Sequence, residues 1–222
     1  EDISSFDIIG PHMVGPSSAH TAGANSLGRM AKKIAQGDIK KAVLNVHGSF
    51  ARTLKGHGTD RALVAGLLGI REDDEALKYS FDIAKEKGMT YSFKEVDLGD
   101  VHPNTVKIEM ETLTGKEVTV VGSSTGGGSI LIVEIDGLKV QFTGLYPTLI
   151  TRHQDHPGVI HQVTEVLADE GINVAYMSVF RQDKGDQAFM VIESDDSIPE
   201  TIIEGLRASV GLLEDVFVIE GI

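Results

Sequence analysis

Two histidines, His12 and His20, bracket a serine pair in the stretch Gly10-Pro11-His12-Met13-Val14-Gly15-Pro16-Ser17-Ser18-Ala19-His20-Thr21. An imidazole with an unperturbed pKa of ~6.5 is largely neutral near pH 7, so histidine suits proton abstraction. Hydroxyls and backbone N–H groups at a helix start hold a carboxylate or phosphate. Two Gly-Pro pairs fix a turn here, and the helical-looking run 22–35 follows, so the pattern predicts a loop opening onto a helix N-terminus. A Ser N-cap after a turn would account for the serine pair alone. The twelve residues together are denser than a cap needs, and a second cluster follows in His47-Gly48-Ser49 and Lys55-Gly56-His57-Gly58-Thr59-Asp60. His57 stands between two glycines, where backbone can approach a ligand with no Cβ in the way. His102-Pro103-Asn104 supplies a third histidine beside an amide.

Composition narrows the chemistry. The 222 residues contain no cysteine, which excludes disulfides, thiol nucleophiles, Cys-zinc sites and an all-cysteine iron–sulfur cluster held by this chain alone. A formal net charge of −13 argues against nucleic acid and anionic membrane partners, which reward clustered Lys and Arg. No apolar run approaches the ~20 residues that cross a bilayer and no signal pattern opens the sequence, so a cytoplasmic protein is expected. The run Gly122-Ser123-Ser124-Thr125-Gly126-Gly127-Gly128 lacks the Gly-Lys-Ser/Thr ending of a phosphate loop and leads into a strand. It reads as a turn bringing backbone close to a neighbour or ligand, with Ser123 to Thr125 as possible donors. The eight histidines have no metal-ligand spacing, so no metal site is expected. A pyridoxal enzyme would need a Schiff-base lysine and a phosphate cradle, and only Lys55, beside the glycines, tempts.

The elements that must position these groups follow from periodicity. Leu27, Met30, Ala31 and Ile34 make one face of a helix over 22–35 that Gly37 closes, and Val43, Leu44 and Val46 make a short strand ending at His47-Gly48. A helical run over 61–68 should be capped by Thr59 or Asp60. Residues 73–87 predict an amphipathic helix with Leu77, Phe81 and Ala84 inward, closed by Gly88. Val106, Ile108 and Met110 alternate with charged residues, and strands are expected over 118–121, 130–135 and 139–142, with turns at Thr114-Gly115 and Asp136-Gly137.

The pattern changes after Tyr146-Pro147, and the domain boundary is placed there, giving domains 1–146 and 147–222. Beyond it the expected order is strand 148–152, helix 159–170, strand 173–181, strand 188–193, helix 198–210 entered through Pro199, and strand 216–220. The order β-α-β-β-α-β is ferredoxin-like, and the fold class overall is α/β (α+β).

The stretch Gly15 to Thr21, the cluster His47-Gly48-Ser49 with Gly56 to Asp60, and His102-Pro103-Asn104 together resemble the beta chain of iron–sulfur-dependent L-serine dehydratases. The second domain resembles an ACT domain, with Asp155-His156-Pro157-Gly158 as its ligand loop and Gly171-Ile172-Asn173 entering the second strand. The resemblance covers nearly the whole chain. It implies deamination of L-serine to pyruvate and ammonia, with a [4Fe–4S] cluster held by a separate alpha chain and a first domain of the allosteric-substrate-binding type. It implies His57 as base, with His20 and His102 as further catalytic candidates. Ser17, Ser18, Thr21, Ser49, Thr59 and Asn104 are the implied substrate-binding groups, although Ala19 stands where a third serine is expected. In the second domain it implies a small amino acid near Asp155, Pro157, Gly158 and Asn173, and homodimerisation. Two function classes stay open: a subunit of a serine-deaminating lyase, and a stand-alone amino-acid-binding regulatory dimer.

Overall fold

The computed structural model describes residues 18–221. His12 and Ser17 therefore lie outside the described residues. The chain forms two compact units that divide between Asp136 and Gly137.

The first unit opens with a π-helical turn, Ser18–Gly23, continuing without a break into α1 (Ala24–Ala35). Helical winding thus begins ahead of the expected residue 22. β1 (Ile39–Val46) leads to the short α2 (Gly48–Thr53), then α3 (Thr59–Leu67). The expected helix 73–87 is divided into a 3-10 turn, Glu75–Tyr79, and α4 (Ser80–Glu86). At the junction Ser80 turns its hydroxyl to the Arg61 carbonyl, 3.1 Å away. A strand absent from the sequence reading, β2 (Thr90–Glu95), pairs parallel with β1. β3 (Thr105–Thr112), β4 (Glu117–Gly126) and β5 (Ser129–Ile135) complete the unit's strands, in the order β2-β1-β3-β4-β5.

One sheet face is covered and the other is polar, which explains the alternation along β3. Val106, Ile108 and Met110 are buried, while Lys107, Glu109 and Glu111 face the other way. α1 lies on the covered face with Leu27, Met30 and Ile34 buried. It crosses α3 at two glycines. A Cβ on Gly66 would stand 2.4 Å from the Asn25 carbonyl oxygen, and one on Gly28 would stand 2.5 Å from that of Leu63. Gly122 gives a third close approach, its missing Cβ leaving room for Leu27 and Ile132.

β6 (Leu138–Phe142) follows the Asp136-Gly137 turn. The second unit then runs β7 (Thr148–Gln154), α5 (Val159–Asp169), β8 (Val174–Arg181), β9 (Gln187–Ser194), α6 (Glu200–Ser209) and β10 (Leu213–Ile219). The sheet order β10-β7-β9-β8, antiparallel throughout, is the ferredoxin-like arrangement expected. Val163 and Leu167 of α5 and Ile202 and Leu206 of α6 pack on Leu149, Met190, Ile192 and Val216. β8 is an edge strand, and Tyr176 and Met177 on it are exposed.

Candidate active site

The three histidine motifs converge at one end of the first sheet. β1 and β3 are antiparallel with Val46 opposite Val106, and β3 and β4 are antiparallel with Thr105 opposite Ser123. The carboxyl end of β1, the start of β3 and the end of β4 therefore lie side by side, carrying His47 to Ser49, His102 to Thr105 and Ser123-Ser124. Open sheets with helical crossovers commonly place ligands outside strand carboxyl ends.

Backbone hydrogen bonds tie the loops together. The carbonyls of Pro103, Asn104 and Thr105 accept from the N–H groups of Ser49 (2.8 Å), Ser124 (2.9 Å) and His47 (3.0 Å). Gly48 sits at φ +56 with Pro103 against it, and a Cβ there would stand 2.6 Å from the Pro103 oxygen. This position requires glycine on both counts. Gly23, at the end of the π-helical turn, lies directly against Ser124.

His20 comes to this end on the turn. Its Nε2 is 3.0 Å from Ser49 Oγ, and its ring centroid is 5.2 Å from that of His57 and 5.9 Å from that of the fully buried Phe50. Burial, and then the neighbouring His57, push the His20 pKa below its ordinary value. Both effects disfavour a positive charge on that ring. His57 is exposed, and its ring makes no hydrogen bond among the described residues, leaving a nitrogen able to accept a proton. Its backbone is held at both sides: N–H donates to Thr53 O (3.1 Å), and the carbonyl accepts from Thr21 Oγ1 (3.3 Å).

His47 and His102 differ in kind. The Leu98 N–H donates to His47 Nδ1, and the Asn104 N–H to His102 Nδ1, both at 3.1 Å. An imidazole accepting at Nδ1 carries its proton on Nε2 when neutral, so both rings are donors at Nε2. His102, exposed, thus presents a donor at Nε2 in its neutral form.

The hydroxyls and amides sort less uniformly. Ser18 contributes to the π-helical turn, and Ser49 faces His20. Thr21, 1% exposed, turns its hydroxyl to the His57 carbonyl. Thr59 is wholly buried as the first residue of α3, whose N-cap is Gly58, and its hydroxyl finds no partner among the described residues. It therefore does not cap the helix, and Asp60 accepts from the adjacent Arg61 N–H at 2.8 Å. Asn104 Oδ1 is likewise buried and unpartnered among the described residues. Thr105 and Ser123 join the cluster through buried hydroxyls 2.7 Å apart. Nothing in the sequence singles out Thr105 beyond its place after Asn104, while Ser123 stands in the glycine-rich run whose hydroxyls are expected donors.

A concavity of about 450 Å³ on the polar sheet face is lined by Lys41, Glu109, Glu111, Glu117 and Asp136 and holds none of these histidines. Among the described residues no group of three or more His, Asp or Glu side chains is placed to hold a metal ion.

In the second unit the carboxylate of the expected ligand loop is paired within the chain. Asp155 Oδ2 accepts from Arg181 Nη1 at 2.5 Å and from the Gly185 N–H at 3.2 Å. Those two donors, Arg181 first, hold its carboxyl below the usual carboxylate range. Gly158, at φ +95, turns the chain into α5 behind Pro157. Asn173 donates to Asp195 Oδ2 (2.8 Å) and stands at the opposite end of β8 from Arg181, about 26 Å away at ~3.3 Å per residue. One copy of the chain therefore does not bring Asn173 to Asp155.

Comparison with known proteins bears directly on this arrangement. The serine dehydratase beta chain family matches residues 4–134, and the ACT domain matches residues 148–211. The L-serine dehydratase beta chain of Peptoniphilus asaccharolyticus is 41% identical over 202 residues, covering 90% of this chain and 91% of that one. This chain belongs to the serine dehydratase beta chain family. The probable L-serine dehydratase beta chain of Bacillus subtilis is 43% identical over 203 residues, 91% of this chain and 92% of that one. The D-3-phosphoglycerate dehydrogenase of Bacillus subtilis is 28% identical over 187 residues, which are 82% of this chain and 35% of the dehydrogenase. Among the described residues no helix is long and apolar enough to cross a membrane.

Proposed function

We propose that this chain is the beta subunit of a cytoplasmic L-serine dehydratase, supplying substrate-binding and acid–base groups to a site completed by an alpha chain. The observation that carries the reading is the pairing of His57 and His20 beside the hydroxyl- and amide-bearing loops at the carboxyl end of β1. Elimination of water from serine begins with removal of the Cα proton, and the aminoacrylate formed takes up water to give pyruvate and ammonia. His57, exposed and with an accepting nitrogen, takes that proton. His20, disfavoured as a cation by burial and by His57, orients Ser49 through Nε2. The substrate carboxylate is assigned to Ser17, Ser18 and Ser49, and the buried oxygen of Asn104 gives the ammonium an acceptor. Thr59 supplies a second unpartnered group, and His102, proton-bearing at Nε2, donates toward the departing hydroxyl.

The family's iron–sulfur chemistry needs thiolates, and this chain has none. Its residues do not fit such a cluster, which is assigned to the alpha chain.

The regulatory domain is placed at 147–222, with serine as its ligand and a second copy as its partner. The exposed edge of β8, with Tyr176 and Met177, supports pairing between copies. Antiparallel pairing of two β8 edges would set Asn173 of one copy near the Asp155, Pro157 and Gly158 loop of the other, which one chain alone cannot do.

Co-expression with a cysteine-rich alpha chain under anaerobic conditions tests this reading. A brown complex that forms pyruvate from serine is the expected outcome. A colourless dimer that binds serine, associates with no iron protein and makes no pyruvate would leave the chain a stand-alone amino-acid-binding regulator.

A further inference from the structure

Two threonines in the first unit are almost wholly buried, Thr21 at 1% and Thr105 at 0% exposure, and each hydroxyl reaches the backbone carbonyl of a loop histidine. Thr21 Oγ1 donates to His57 O at 3.3 Å, and Thr105 Oγ1 donates to His102 O at 2.6 Å. Neither bond belongs to a helix or strand ladder, and each holds the backbone beneath an exposed ring, His57 or His102. Ser123, 4% exposed, hydrogen-bonds to the Thr105 hydroxyl at 2.7 Å, so β4 backs this clasp from the neighbouring strand. At His102 the clasp closes a short ring of contacts, because the same loop carries the Asn104 N–H that donates to Nδ1.

We propose that Thr21 and Thr105 are positioning residues, fixing the loops from which His57 and His102 present their rings, with Ser123 orienting the Thr105 hydroxyl. The proposal rests on the reading of those histidines as acid–base groups, but its structural content stands apart from turnover. A buried hydroxyl replaced by a methyl leaves a carbonyl without its donor, and the loop shifts to find another. A displacement near 1 Å at a proton-transfer group costs on the order of 10²-fold in rate. Thr112 provides the comparison: it is 2% exposed, lies at the other end of β3, and bonds Thr114 Oγ1 at 3.0 Å, away from every histidine motif.

The test uses the full chain with Thr21→Val, Thr105→Val, Thr105→Ser and Thr112→Val, alone for ring ¹⁵N NMR and assembled with the alpha chain for serine turnover. In the wild-type chain His102 shows the signature of a single Nε2–H tautomer. Thr105→Val mixes the tautomers and lowers kcat on the order of 10²-fold, with KM for serine changed less than kcat, and Thr105→Ser restores both. Thr21→Val lowers kcat similarly and moves the His57 ring signals, while Thr112→Val changes neither rate nor spectra. Altered ring spectra with unaltered kcat support the positioning and count against the acid–base reading instead. Unchanged His57 and His102 spectra in the two valine variants, whatever the rates, overturn the proposal.

Discussion

Gly66→Ala tests how closely the two helices behind the site must approach. The added Cβ would lie 2.4 Å from Asn25 O, 2.8 Å from Arg29 N and 2.8 Å from Gly28 Cα, all backbone atoms of α1. Real Cβ contacts essentially never fall under 3.0 Å, so α1 and α3 must separate by at least about 0.6 Å. Three backbone clashes put the overpacking cost near the upper end of its usual range, about 3 kcal/mol. Alanine's better helix propensity offsets about 1 kcal/mol of that. The net loss of about 2 kcal/mol lowers the first unit's melting temperature by roughly 8 °C, at about 4 °C per kcal/mol for a unit of this size. Gly205→Ala in α6 has the same propensity gain without the clash, since its Cβ would meet only Val166 Cγ1 at 3.7 Å. It raises the second unit's transition by a few degrees, on a gain of about 1 kcal/mol. Scanning calorimetry of the full chain, resolving the two transitions, is the assay. A Gly66→Ala chain whose first unit melts at or above the wild-type temperature would refute the packing argument. Because α1 follows from the turn bearing His20 and Thr21, and α3 follows the loop bearing His57, the same variant should also slow turnover.

Two further outcomes concern the second unit. His153 is 2% exposed, and burial pushes its pKa below the ordinary 6.5, against the opposing pull of Asp155 and Glu214. The unfolded chain therefore takes up this proton at a higher pH than the folded one, and stability falls as pH drops below about 6.5. Calorimetry from pH 7.5 to 5 should show the second transition moving down, and His153→Gln should flatten that slope; an equal slope in both would exclude His153 as its source. Separately, Tyr176→Asp or Met177→Asp puts like charges near the proposed β8 seam, and sedimentation velocity should show a dimer becoming a monomer. A wild-type chain that sediments as a monomer at every concentration would remove that seam.

The second unit was nearly transparent in the sequence, because each strand and helix carries a clean period and Pro199 and Gly158 mark the helix entries. The first unit was less so, for local reasons. β2 went unread because its alternation rests on Tyr91 and Phe93 alone among polar residues, and its parallel partner β1 lies three helices back in sequence. The break at Ser80 reflects a hydroxyl bond to Arg61 that no periodicity reports. The chemistry-bearing motifs were legible as residue types, but their roles were not. Only the fold shows that Thr21 serves the His57 carbonyl, that His102 has its Nδ1 occupied, and that Asn173 and Asp155 stand at opposite ends of one strand.

The claim on which the functional account depends is that the Cα proton leaves to a side chain of this cysteine-free subunit, and the direct measurement is serine turnover by the anaerobically assembled complex carrying His57→Ala. The predicted result is a complex that assembles and binds serine normally while kcat falls by about 10²–10⁴-fold, the usual contribution of a general base. Pyruvate formation by that variant at the wild-type rate would contradict the account.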